Sequence, residues 1–284
     1  MARSARELAR GTPALSSLPM VYARLTQALA KPRASTAQIA EIIASDSALT
    51  ARLLRLVNSA FYAFPSRIET VHQAVFLVGT QQIHDLALAT SVLRVFPRIP
   101  RELVDMESFW RHSIATGVTA RTLAAYRNER STERFFVAGV LHDLGRLLLF
   151  TSRPDVARAA LLRSRTQGEP LMIAERAVIG YDHSEAGGAL LEAWNLPEEL
   201  QDMVRWHHAP AEAQRHQREA AVVHVADIIT TAMEFGNSGD PVVPALATGA
   251  WEQLGLSSTV LGAVAEQVER QVNEVTQSIL TVAA

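Results

Sequence analysis

Apolar positions recur along this chain with the three-to-four-residue spacing of helices rather than the alternation of strands. Between residues 20 and 30, Val21, Leu25, Ala28 and Leu29 share one stripe, and Pro32 stops it. Ser35 followed by Gln38 is a capping-box signature that opens a helix over 36–44. Asp46 is placed to cap the next helix, with Leu49, Leu53, Leu54 and Val57 on one face and Asn58-Ser59 at its end, where Asn is expected in the left-handed conformation. Residues 70–78 read as a short helix closed by Gly79, with Thr80 capping its successor. Pro97 and Pro100 then interrupt the pattern. Beyond them the spacing predicts helices over 105–127, 132–151, 155–166, 170–179, 184–195, 197–207, 219–235, 245–254 and 259–280, with residues 236–241 as a loop. The last helix carries Val260, Val264, Val268, Val272 and Val275 on a stripe that packs on the chain's own core or on a second copy. The fold class expected is all-α. Its organisation is a basic arm over 1–14, a first helical unit over 15–96 and a second over 101–284.

Composition narrows the chemistry. The chain has 284 residues, 48% hydrophobic and 20% charged, enough for one large core or two tightly packed subdomains. A net charge of −2 does not suit a polycation for nucleic acid. There is no cysteine, so disulfides, thiolate zinc sites and cysteine nucleophiles are excluded, and a metal must use His, Asp, Glu or water. The absence of disulfides fits a cytoplasmic protein. No apolar run reaches the roughly 18 residues of a membrane span, and no apolar leader stands near residue 1, so no membrane partner is expected. Arg3, Arg6 and Arg10 read as a solvated end, with nucleic-acid contact the minority alternative. Arg52, Arg55 and Arg67 are expected to face water or a partner. Trp110, Trp194 and Trp206 are expected as core anchors.

The second half contains an ordered series of first-choice ligands: His112, His142-Asp143, His183, His207-His208 and Asp227. Imidazoles offer neutral donors, and a carboxylate can bridge two cations. Asp143 stands among Val140, Leu141 and Leu144, where burial is costly without a partner. A water between two cations bridged by such a carboxylate becomes acidic enough to attack a phosphoryl group. The alternative is a metal-free polar cluster in which Asp143 and Asp227 pair with imidazolium. His72, His84, His216 and His224 fall outside the series and read as surface or packing residues.

Three segments, FWRHS at 109–113, GVLHDLG at 139–145 and Ala226-Asp227, resemble the HD metal-dependent phosphohydrolase superfamily. YDHSE at 181–185, WNLP at 194–197 and Trp206-His207-His208 are similar to HD-GYP phosphodiesterases and HDOD (HD-related output domain) proteins. The runs DSALTARLLRLVNSAFY at 46–62 and IETVHQAV at 68–75 then resemble HDOD domains, so the likeness extends over roughly residues 15–235. The resemblance implies a first metal site of His112, His142, Asp143 and Asp227, and a second of Asp143, His183, His207 and His208. It implies one or two divalent ions such as Fe, Mn or Mg, or none. In a catalytic relative, Asp143 and the residue at Arg146 would act in the reaction. Two departures stand out. Arg146 replaces the lysine of catalytic HD-GYP enzymes, and no Gly-Tyr-Pro loop follows His208. The function this implies is regulatory output in bacterial second-messenger, motility or stress signalling, through a partner protein, a nucleotide second messenger or a second copy of the chain. The rival is a metal-dependent phosphohydrolase acting on a nucleotide or cyclic dinucleotide.

Overall fold

The computed structural model describes residues 4–12, 18–31, 35–96 and 99–280. Arg3, Pro32, Pro97 and Arg98 lie outside them. The described residues form helices and no strands. A short α1 (Ala5–Arg10) precedes the first group, α2 (Met20–Leu29), α3 (Thr36–Ala44), α4 (Ser47–Val57), α5 (Val71–Val78) and α6 (Thr80–Val92). The second group comprises α7 (Met106–Tyr126), α8 (Glu133–Leu141), α9 (Leu144–Ser152), α10 (Pro154–Gln167), α11 (Leu171–Ile179), α12 (His183–Ala193), α13 (Glu198–Arg205), α14 (Gln217–Ala232), α15 (Ala250–Leu254) and α16 (Leu261–Leu280).

Local signals explain most helix starts. Ser35 and Gln38 form the expected reciprocal cap of α3, and Asp46 Oδ1 accepts from the Ala48 and Leu49 amides at 3.0 and 2.9 Å. The N-terminal arm is not a frayed end throughout. Ser4 and Glu7 make a capping box, Leu8 and Ala9 are buried, and Arg6 reaches Glu192 on α12 at 3.2 Å. The helix expected over 245–254 begins only at Ala250, after the positive-φ Gly249. Gly79, with φ of 102°, and not Thr80, precedes the first turn of α6.

Asn58 is right-handed, with φ −88° and ψ 0°, against the expected left-handed cap. Its side chain explains the difference. The amide donates to the Leu54 and Ile68 carbonyls, and Oδ1 accepts from the Ile68 amide at 2.7 Å. The residue clamps the end of α4 to the segment that leads into α5. Arg52 also departs from expectation: it is 4% exposed and does not face water.

The most consequential difference lies in 132–151, read as one helix. The chain breaks at His142–Asp143, with Asp143 at φ −97° and ψ 7°, and resumes as α9. Packing forces this break. A Cβ on Gly145 would collide with the His183 carbonyl, so only glycine lets α9 approach α12 this closely. A Cβ on Gly139 would likewise strike the backbone of Gly117, which sets how near α8 lies to α7. Residues Glu133–Ser152 taken together are long and apolar enough to be weighed as a membrane span, contrary to the reading by run length, but 89% of that apolar window is buried in the protein.

One contiguous cluster of buried apolar side chains runs through both groups of helices. The valine stripe of α16 belongs to it: Val264, Val268, Val272 and Val275 are fully buried, and α16 packs on both α7 and α4. Gln271 donates to the Ala60 carbonyl and Arg55 to that of Ser278, pinning this helix across the first group.

Candidate metal centre

All the expected ligands converge. His112 comes from the middle of α7, His142 and Asp143 from the break between α8 and α9, and His183 from the first turn of α12. His207 and His208 follow α13, and Asp227 lies on α14. Six of the seven are buried: His142, His183 and His207 completely, Asp143 at 1%, His112 at 3% and Asp227 at 5% exposure. His208 is half-buried.

The first set is shaped for a cation. His112 Nε2 is 3.1 Å from Asp227 Oδ1 and 3.9 Å from Asp143 Oδ2. His142 Nε2 is 3.6 Å from Asp227 Oδ1 and 3.3 Å from Asp143 Oδ2. Bonds of about 2.1 Å in a tetrahedron give ligand–ligand edges of roughly 3.4 Å, so these spacings match. The imidazoles are aimed by backbone carbonyls. His142 Nδ1 donates to Gly139 O and His207 Nδ1 to Val204 O, both at 2.7 Å, which leaves each Nε2 as the lone pair facing inward. His142 Nε2, His207 Nε2 and both Asp143 oxygens are buried without a hydrogen-bond partner. Such orphaned atoms are costly as a bare polar cluster and natural as ligands. The donor set fits a divalent ion, which His112, His142 and Asp227 would hold with Asp143 beside them. When bound, such an ion supplies Lewis acidity and lowers the pKa of a coordinated water.

The second set differs. His183 Nε2 is 3.2 Å from Asp143 Oδ1 and 2.8 Å from His208 Nε2. Between these groups lies a guanidinium. Arg146 Nε is 3.0 Å from Asp143 Oδ1, and Nη2 is 3.2 Å from His183 Nε2. Arg146 is 2% exposed and is locked in place by Ser238, whose hydroxyl accepts from Nη1 at 2.9 Å, and by a close ion pair with Asp240. The loop over 236–241 thereby closes on the centre. Asp240 Oδ1 also accepts from the Leu171 amide at 2.6 Å.

Electrostatics follow from this packing. Burial penalises the charge of Asp143, yet Arg146 and His142 hold its carboxyl well below the usual range. Burial likewise opposes Asp227, which His112 and His142 hold well below that range. For His142, burial opposes the charged form and the two carboxylates overcome it, raising it to about 10. His183 is raised to about 9: burial and Arg146 oppose its charge, while Glu175 and Asp143 favour it. Burial and the neighbouring imidazoles push His207 down to about 3 and lower His208 as well.

Sequence reading missed the supporting shell. Glu175, 3% exposed on α11, accepts from His183 Nδ1 at 2.6 Å and from its backbone amide at 2.9 Å. His224 Nδ1 donates to the His207 carbonyl at 2.7 Å, and its Nε2 accepts from the Ala247 amide. Glu175 within the apolar run LMIAERAVI was the legible signal; nothing local distinguished Asp240 or Ser238. His84 packs away from the centre, stacked on Tyr22 and bonded to Thr26.

Comparison with known proteins follows the same outline. Residues 15–210 match the HDOD domain family. A curated relative, an uncharacterized protein of Treponema pallidum (strain Nichols), is 26% identical over 195 residues, or 68% of this chain. The chain spans only 37% of that relative's length. Among solved structures, an HDOD domain protein of unknown function from Geobacter sulfurreducens superposes with a TM-score of 0.78 at 22% identity, over 98% of each chain. A Shewanella amazonensis SB2B protein with a provisional phosphohydrolase name gives 0.75 at 23% identity, also over 98% of each. A Marinobacter aquaeolei VT8 protein with a provisional signal-transduction name gives 0.69 at 22% identity, over 93% of this chain and 59% of that one. At these identities the likeness is one of fold.

Proposed function

The chain belongs to the HDOD domain family, and on that premise we propose that it is a non-catalytic output module of a bacterial signalling pathway. It acts in the cytoplasm by binding a ligand and a partner protein, and its buried histidine–aspartate centre holds one divalent ion as a structural element. The observation that carries this reading is the position of Arg146. Two-metal hydrolysis needs both oxygens of the shared carboxylate to face cations, with a nucleophilic water between them. Here one oxygen of Asp143 faces a guanidinium that is itself tied down by Ser238 and Asp240. A fixed positive charge beside Asp143 and His183 repels a second dication. Arginine is also a poor proton donor at neutral pH, so it does not replace a catalytic lysine.

The second reading, a metal-dependent phosphohydrolase, is favoured by the metal-like spacing of His112, His142, Asp143 and Asp227. Elemental analysis of protein purified without chelator, followed by incubation with a panel of phosphodiesters that includes cyclic dinucleotides, separates the two. The output reading expects about one equivalent of metal and no turnover. Turnover lost in Asp143→Ala would replace it with the hydrolase reading, and protein free of metal would remove the ion from it.

A further inference from the structure

Arg52 lies far from this chemistry in purpose, on α4 of the first group. It is 4% exposed, its Nε is buried without a hydrogen-bond partner, and it makes no ion pair among the described residues. Arginine stays charged in proteins, and a buried charge is stable only when something pairs with it. Its side chain lines a cavity of about 350 Å³ together with Asp46, Ser91 and Arg94. Asp46 does not answer the need. Its Oδ1 caps α4, and its Oδ2 is 3.8 Å from Arg94 Nη1. Ser91, 4% exposed, lines the same cavity with a hydroxyl that can donate. Among the described residues, two guanidiniums against one carboxylate leave the cavity with a surplus of one positive charge. Burial, Arg94 and Arg55 lower Arg52 to about 10, and the carboxylate of Asp46 offsets this only in part.

We propose that this cavity binds a singly charged oxyanion, the carboxylate or phosphodiester group of a ligand, held between the guanidiniums of Arg52 and Arg94 with Ser91 as an additional donor. One negative charge balances the surplus, and two oxygens in a plane match the guanidinium fork. The site is independent of the metal centre, and its standing does not depend on whether a cation is bound there.

The test uses the full chain titrated with sodium acetate and, separately, with sodium dimethyl phosphate, each against sodium chloride at matched ionic strength. Two signals are followed: the Nε–H resonance of Arg52 and the thermal midpoint. At tenfold excess over the dissociation constant, a saturable resonance shift and a midpoint rise of about 2 °C are expected. The arm that responds tells carboxylate from phosphodiester. Arg52→Met, which keeps the length of the side chain and removes the buried charge, should fold at least as stably without anion and lose the response. Arg94→Gln, on the exposed rim, should weaken binding about tenfold. Absence of any saturable response beyond chloride, or an equal response in Arg52→Met, overturns the proposal.

Discussion

Asp143 sits where four imidazoles, one guanidinium and a second carboxylate meet, and its neighbours divide its two oxygens. Oδ2 faces His112 and His142, and Oδ1 faces Arg146 and His183. Arg146→Ala would leave Asp143, Asp240 and Ser238 without their cation. Breaking a buried pair from one side costs about 3–5 kcal/mol, which urea denaturation of chelated protein should read. The same variant should raise metal stoichiometry from about one equivalent to two, because the second set loses its competing charge. Stoichiometry unchanged at one would separate Arg146 from any role in limiting metal.

The pH response of the metal-free protein has a defined sign. His142 and His183, raised to about 10 and 9, contribute stability that is complete below about 6.5 and is lost as pH climbs through those values. His207, depressed to about 3, contributes stability present above about 6.5 and lost as pH falls toward 3. Asp143 and Asp227 contribute stability that is present above about 4 and lost below it. Chelated protein should therefore be most stable near pH 6–7 and lose stability steadily toward pH 10. Metal-loaded protein should show a smaller alkaline loss, because the ion takes the place of the His142 proton while His183, outside that ion's ligand set, keeps its own. Denaturation midpoints across pH 6–10, with and without chelator, check this, and a flat metal-free curve would contradict it.

At the scale of elements, the centre depends on a helix that stops. Periodicity in 132–151 is continuous, so nothing apolar marks a break. The turn at His142–Asp143 arises because α9 must pass against the start of α12. Gly145→Ala would push the two helices apart at the His183 carbonyl. Overpacking of this kind costs about 1–3 kcal/mol or more. Metal affinity should fall with stability, since His183 and Asp143 flank the contact. Thermal unfolding together with metal titration reads both. Helix starts, by contrast, were legible at Ser35 and Asp46, where a local cap supplied them, although the Ser4 cap that opens α1 was read as a solvated end. Asn58 was misread because its partner, Ile68, is ten residues away and supplies hydrogen bonds that a left-handed cap does not need.

For the molecule as a whole, α16 is one element that ties the two groups of helices together, since its buried valines meet both α7 and α4, alongside the packing of α6 on α8. Val268→Asp would place an unpaired carboxylate at a fully buried position. A loss of more than about 4 kcal/mol and a single cooperative unfolding of both groups are expected. Separate transitions for the two groups, followed by tryptophan fluorescence and circular dichroism, would show instead that they are energetically independent.

The sequence by itself determined the all-helical class, the caps at Ser35 and Asp46, the absence of thiol chemistry and the members of the histidine–aspartate series, because each rests on residue type and short-range spacing. Tertiary structure decided what those ligands do together. Arg146 became the competitor for Asp143, Glu175 and His224 became the supports of His183 and His207, and Arg52 became a buried charge with no ion pair among the described residues. Arg146 lies only three residues from Asp143 but is aimed at it by Ser238 and Asp240 from a loop far along the chain, and Glu175 and His224 reach their histidines from other helices. Hydrophobic period records which face of a helix is buried, but not which charge waits on the other side of the contact.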